Sequence, residues 1–231
     1  MNTHIINFEM GIFVTMKPTK VFLLLNGEAP KELPNLSNYS IICATDGAYQ
    51  FLKENKITPY FISGDFDSLT DIPKHIKVIS TPNQDFTDFD KILQILFDKG
   101  FYTIDVFGAS GKEQDHFLGN LHTALQWKEK LKLTFFDNYG YYFLAETTTK
   151  IDDCLDKTVS LFPFPTATNI TTKGLQYPLN NEDLDFSKRI GTRNKAIENN
   201  VNITFNSGDL FIFINNKDIN NEQKNKITVG F

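Results

Sequence analysis

Over the first 137 residues, short apolar runs alternate with stretches of helical periodicity. The runs at 21–25, 40–44, 60–62, 78–80, 102–107 and 132–136 predict strands. Several are apolar throughout, as expected of a sheet covered on both faces. Phe89, Ile92, Leu93, Leu96 and Phe97 recur at helical spacing and predict a helix over 88–98. Thr87, with Asp90 three residues later, resembles a capping box at its start. A short helix is expected over 47–54, and Phe117, Leu118, Leu121, Ala124 and Leu125 mark another amphipathic helix. This alternation predicts an α/β unit of three layers, a mainly parallel sheet with flanking helices.

The pattern changes after residue 137. Runs at 141–144, 159–164, 170–172, 201–205, 210–214 and 226–229 predict short strands. Turn signals separate them, including Asn206-Ser207-Gly208-Asp209 and Asn215-Asn216-Lys217-Asp218. No long helical period appears, so a small all-β domain is expected. The expected organisation is a 1–15 extension, an α/β domain over 16–137 and a β domain over 138–231. Residues 1–15 are mildly apolar, contain Glu9, and lack the basic start and cleavage site of a signal peptide.

Composition narrows the function classes. A net charge of −5 argues against a general nucleic-acid surface, which needs clustered Lys and Arg. No run of about 18 apolar residues is present, so no membrane-spanning helix is expected. Two distant cysteines, Cys43 and Cys154, form neither a disulfide framework nor a zinc site. That usage fits a cytoplasmic protein.

Chemistry concentrates at strand ends. In Ile62-Ser63-Gly64-Asp65-Phe66-Asp67-Ser68, two acids flank one Phe where a buried strand stops. Residues two apart in extended chain point the same way, so both carboxylates can face one point. Open α/β sheets bind ligands beyond the carboxyl ends of their strands. Paired carboxylates there suit Mg²⁺, which binds through one or two carboxylates plus substrate phosphates. A solvated turn is the plainer reading.

Asp46 follows a strand and precedes Gly47, so it reads either as a helix cap or as a further site acid. Asp88 opens a helix, where the dipole favours it, and shares a face with Lys91. That pair suits either metal and phosphate binding or a surface ion pair. Gly108-Ala109-Ser110-Gly111-Lys112 is a strand-to-helix turn whose N–H groups can face phosphate, although it is no Walker loop. Asp115 reads as a metal ligand or a base. His116 and Asn120 share one helix face, where a lone His is more often structural.

Taken together these segments resemble the thiamine pyrophosphokinase family. The matching pieces run in order: Asn26-Gly27-Glu28, Thr45-Asp46-Gly47-Ala48, Gly64-Asp65-Phe66-Asp67-Ser68, Thr87-Asp88-Phe89-Asp90-Lys91, and Gly108-Ala109-Ser110-Gly111 with Asp115, His116 and Asn120. The β-rich half matches in Thr172-Lys173-Gly174-Leu175-Gln176-Tyr177-Pro178-Leu179 and in Gly191-Thr192-Arg193-Asn194.

The resemblance implies an α/β catalytic domain followed by a β-sandwich, working as a homodimer with active sites at the subunit interface. It implies transfer of the pyrophosphoryl group of ATP to the hydroxyl of thiamine, giving thiamine diphosphate and AMP. Asp65, Asp67 and Asp88 would hold Mg²⁺, with Asp46 and Asp115 near the metal–phosphate centre. Gly108, Ser110, Gly111 and Lys112 would take ATP together with Lys91, His116 and Asn120. Thiamine would lie against Gly191, Thr192, Arg193 and Asn194.

Two departures stand out. Glu113 occupies a position where the family usually has Arg, and the only Trp, Trp127, lies in the first domain. A pyrophosphokinase for another alcohol, pterin-type, and a non-catalytic thiamine or nucleotide sensor are the alternative readings.

Overall fold

The computed structural model describes residues 19–66 and 75–216. Six strands build the parallel sheet: β1 (Lys20–Leu24), β2 (Ile41–Thr45), β3 (Phe61–Gly64), β4 (Lys77–Ser80), β5 (Thr103–Phe107) and β6 (Lys132–Phe136). Their order is β4-β3-β2-β1-β5-β6, every pair parallel. The helices are α1 (Tyr49–Glu54), α2 (Asp88–Asp98) and α3 (Gln114–Trp127). A 3₁₀ turn, Asp46–Ala48, leads into α1.

β1 shows why three layers form. Its Val21 and Leu23 enter one core with Phe89, Ile92, Leu93 and Leu96 of α2 and Leu121 and Ala124 of α3. Phe22 and Leu24 point the other way, into a core with Leu52 of α1 and Phe107. Alternate strand positions face opposite sides, so a run apolar at every position needs cover on both. Thr87 caps α2 through its hydroxyl, which accepts from Asp90 N at 3.1 Å.

The second half comprises β7 (Gly140–Leu144), β8 (Thr148–Ile151), β9 (Thr158–Lys173), β10 (Glu182–Asp185), β11 (Gly191–Lys195), β12 (Val201–Thr204) and β13 (Ser207–Asn215). β7 pairs antiparallel with β6, and β13 joins β7 to β9, so the ladder runs unbroken from the parallel sheet into the β-rich half. β9 pairs with β13 along most of its length and with β12 at its end. It thereby passes from one layer to the other. Val159, Leu161, Ile170, Val201, Ile203, Leu210, Ile212 and Ile214 fill the space between the layers.

Two expectations differ from this, and three strands were not expected. The runs at 159–164 and 170–172 belong to one 16-residue strand, because the polar stretch between them keeps its pairing with β13 and β10. The turn expected over 206–209 is shorter, since β13 begins at Ser207. The short strands β8, β10 and β11 are polar, with little apolar alternation to reveal them. The strand expected over 226–229 lies outside the described residues.

Candidate active site

Because β3, β2, β1 and β5 are adjacent and parallel, the loops that follow them converge at one edge of the sheet. The loops after β1 and β5 are joined backbone to backbone. Leu25 N donates to Phe107 O at 2.8 Å, Gly27 N to Gly108 O at 2.7 Å, and Glu28 N to Ser110 O at 2.7 Å. Any side chain at Gly27 would strike the Gly108 carbonyl, and one at Gly108 would strike that of Leu25. Gly108 also holds φ at +68°, a conformation open to glycine at little cost.

Asp46 is 6% exposed and lies against Gly64, where a Cβ would collide with its carboxylate. Its Oδ1 accepts from Gly47 N at 2.7 Å and its Oδ2 from Phe66 N at 2.8 Å. Phe66 is buried and held at φ +65°. A non-glycine residue there is strained, and such residues cluster at functional sites when their surroundings hold them. Asp46 therefore ties the end of β2 to the turn that carries Asp65. Asp67, the next acid along, lies outside the described residues.

Asp65 receives a hydrogen bond at 3.2 Å from Gln84 Nε2. Asp88 pairs with Lys91 at 2.7 Å in the first turn of α2. The Lys91 ammonium also donates to Thr81 O at 2.9 Å and Asn83 O at 3.1 Å. Its three hydrogens thus have three protein acceptors, and it fastens the loop before α2. A groove of about 390 Å³ opens there, bounded by Thr81, Asn83, Phe86 and Lys91.

On the other side, Lys112 Nζ donates to Asn26 Oδ1 at 3.1 Å, bridging the two joined loops. Asn120 Nδ2 donates to Ala109 O at 2.8 Å, steadying the glycine turn from α3. Asp115 accepts from His116 N at 2.9 Å. His116 faces Glu113 at 3.2 Å, both side chains exposed. Glu113 occupies the cap position of α3 without capping it through its side chain.

Gly191, Thr192, Arg193 and Asn194 stand apart from these loops, on β11 beside β9. Arg193 N donates to Ser160 Oγ at 2.9 Å, and Asn194 exchanges hydrogen bonds with the Tyr177 backbone. A larger cleft of about 1050 Å³ between β6 and β8 is lined by none of Asp46, Asp65, Asp88 or Asp115.

Gln84 and Asn26 touch these residues, yet sequence reasoning assigned neither a role. Gln84 sits in a polar turn with no periodicity to single it out. Asn26 belongs to the matching Asn26-Gly27-Glu28 piece, but its contact with Lys112 spans 86 residues of chain and leaves no local signal.

Residues 34–135 match the family model described as thiamin pyrophosphokinase, catalytic domain, and residues 147–210 match thiamin pyrophosphokinase, vitamin B1 binding domain. The chain belongs to the thiamin pyrophosphokinase family. Thiamin pyrophosphokinase 1 of Caenorhabditis elegans is 28% identical over 214 residues, covering 83% of this chain and 87% of that protein. Thiamine pyrophosphokinase of Bacillus subtilis is 27% identical over 199 residues, covering 79% and 93%. The crystal structure of a Bacillus subtilis thiamine pyrophosphokinase superposes with a TM-score of 0.74 at 25% identity, covering 86% of this chain and all of that one (100%). A thiamin pyrophosphokinase family protein from Enterococcus faecalis shares the fold, with a TM-score of 0.76 at 21% identity over 86% of this chain and 99% of that one.

Among the described residues, no three His, Cys, Asp or Glu side chains are grouped to hold a metal. Asp65 and Asp88 are the described members of the expected ligand set. Hard carboxylate oxygens of this kind suit Mg²⁺ or Mn²⁺ rather than a soft metal.

Proposed function

We propose that this chain transfers the pyrophosphoryl group of ATP to the hydroxyl of thiamine, releasing AMP. The observation that carries this reading is the presence, in order, of both the catalytic and the vitamin B1 binding parts of the family. The thiamine hydroxyl attacks the β-phosphorus; one P–O bond forms and the bond to AMP breaks. Positioning and charge stabilisation supply most of the rate in such transfers.

The 108–111 turn presents backbone N–H groups to the polyphosphate, with Ser110 among them and Lys112 as the nearby cation. Asn120 and the 26–28 loop keep that turn in place. His116, at the start of α3, lies within the same ATP-binding surface. Asp46 orients the β3 turn through Phe66. Lys91 holds the loop before α2, and moves to phosphate only by giving up its present partners. Asp65, Asp67 and Asp88 would hold Mg²⁺, which when bound neutralises polyphosphate charge. Asp115 is a candidate to accept the proton of the thiamine hydroxyl.

Gly191, Thr192, Arg193 and Asn194 would contact thiamine, placed beside the catalytic loops of a second copy in a homodimer. The dimer reading draws support from an aromatic surface on the β-rich half. Phe186 is 54% exposed there and packs on half-buried Phe162 and Phe164, with centroids 6.4 and 5.4 Å away. Two free, buried cysteines fit a cytoplasmic setting.

A chromatographic product assay with thiamine, ATP and Mg²⁺ tests the activity. Thiamine diphosphate appearing one-for-one with AMP is expected. ADP with thiamine monophosphate would mean a simple kinase, and no thiamine ester would mean another acceptor or a binding role.

A further inference from the structure

Tyr142 is 2% exposed and its ring is fixed on three sides. Phe135 and Phe213 stack on it, both with centroids at 4.8 Å, and Phe117 meets it edge-on at 6.2 Å. These contacts need only a benzene ring. The hydroxyl is buried without a hydrogen-bond partner among the described residues. A buried hydroxyl left unpaired destabilises the fold, and Phe would fill the same space without that cost.

Asp137 and Ser110 are polar side chains close enough to bear on this hydroxyl. Asp137 Oδ1 is already engaged, accepting from Tyr139 N at 2.7 Å and Gly140 N at 2.8 Å. Ser110 belongs to the glycine turn before α3, and its carbonyl accepts from Glu28 N. Its hydroxyl is close enough to ease the upward push that burial gives the phenol, yet it is not in hydrogen-bonding geometry.

We propose that Tyr142 is a positioning residue for a phosphate-bearing ligand held by the 108–112 turn. With the ligand in place, the Ser110 side chain turns about its Cα–Cβ bond so that the phenol donates to its Oγ, while the backbone of the turn stays braced. The Ser110 hydroxyl hydrogen is then directed outward, to a phosphate oxygen. No covalent bond changes. Burial keeps the phenol protonated well above its ordinary range, so the donor persists across the working pH. The inference rests on the reading that this turn receives ATP.

Binding of α,β-methylene-ATP with Mg²⁺ to wild type, Tyr142→Phe, Ser110→Ala and the double variant tests it by calorimetry, alongside thermal unfolding and steady-state kinetics. Tyr142→Phe is expected to be as stable as wild type or more so, while its Kd and KM for ATP rise about tenfold, the scale of one neutral hydrogen bond. KM for thiamine is unchanged. In the Ser110→Ala background, Tyr142→Phe adds no further loss. Equal ATP affinity in wild type and Tyr142→Phe overturns the inference while leaving the ATP site intact, and so do additive losses. A wild type that binds no ATP overturns both.

Discussion

Replacing Asp46 by Asn separates two roles for a buried carboxylate. The native side chain uses both oxygens on backbone donors, at 2.7 Å from Gly47 N and 2.8 Å from Phe66 N. Asn retains one acceptor and turns an NH₂ toward the other donor. Losing a charge-assisted hydrogen bond of this type costs ~1.5–3 kcal/mol. Phe66 at φ +65° stores about 1–2 kcal/mol of left-handed strain, which is released if the turn relaxes. The two effects oppose each other, leaving a net loss of stability near 1 kcal/mol.

Turnover should fall much further. Phe66 lies between Asp65 and Asp67 in the chain, and a misplacement of about 1 Å at a reacting centre can cost roughly 100-fold. Urea unfolding and AMP release measure the two quantities on one preparation. The relevant control is Phe66→Gly, because glycine takes positive φ freely. In that background Asp46→Asn should lower kcat by a smaller factor than in wild type. An Asp46→Asn enzyme within about threefold of wild-type kcat refutes the argument. A large loss that Phe66→Gly leaves undiminished shows that Asp46 acts on substrate directly.

Asp65→Asn should abolish thiamine diphosphate formation while leaving the unfolding free energy within about 0.5 kcal/mol of wild type, as read by urea titration with an activity assay. Gly108→Ala should destabilise by at least about 2 kcal/mol, since its Cβ meets the Leu25 carbonyl and its φ is positive; thermal unfolding checks this. Trp127→Phe removes a 2.7 Å hydrogen bond to Asp90 Oδ1 and should cost ~1.5–3 kcal/mol by urea unfolding. Alkali should also weaken the fold. Burial raises Cys43 from its ordinary 9.0 and Tyr39 and Tyr142 from 10.0, so the native state keeps protons that the unfolded chain releases. Stability is then complete below pH 9 and falls as pH rises above 9.0 and 10.0, by about 1.4 kcal/mol per pH unit for buried Cys43 and Tyr142 and by less for the half-buried, solvent-screened Tyr39. Urea titrations at stepped pH measure it, and Cys43→Ala should remove most of the earliest part, the remainder coming from Cys154, which burial also raises.

The parallel sheet is legible because its strands carry side chains to two cores at once, which leaves apolar residues at successive positions. The α2 helix is equally plain, since its buried residues Phe89, Ile92, Leu93 and Leu96 recur at helical spacing and Thr87 marks where it starts. Short edge strands such as β10 and β11 bury little, so nothing in their composition distinguishes them from loops. In the candidate site, residue types are legible and geometry is not. Spacing places Asp88 and Lys91 on one face, but does not reveal that Lys91 spends its other donors on Thr81 and Asn83. Cap and site acid are both open readings for Asp46, whereas its bond to Phe66 spans twenty residues of chain. Gln84 and Tyr142 acquire their neighbours only once separate strands assemble.

The antiparallel pairing of β6 with β7 has a consequence for how this chain can be divided. A cut in the hairpin near Asn138 would leave each fragment with a bare, aromatic-rich strand edge. Phe135 and Phe136 would be exposed on one, Tyr141 and Tyr142 on the other. Neither fragment would remain dispersed alone, because open edges of that kind recruit further strands. Mixed together, they would re-zip through the same register, making this hairpin a natural place to split the protein into halves that report on each other's presence.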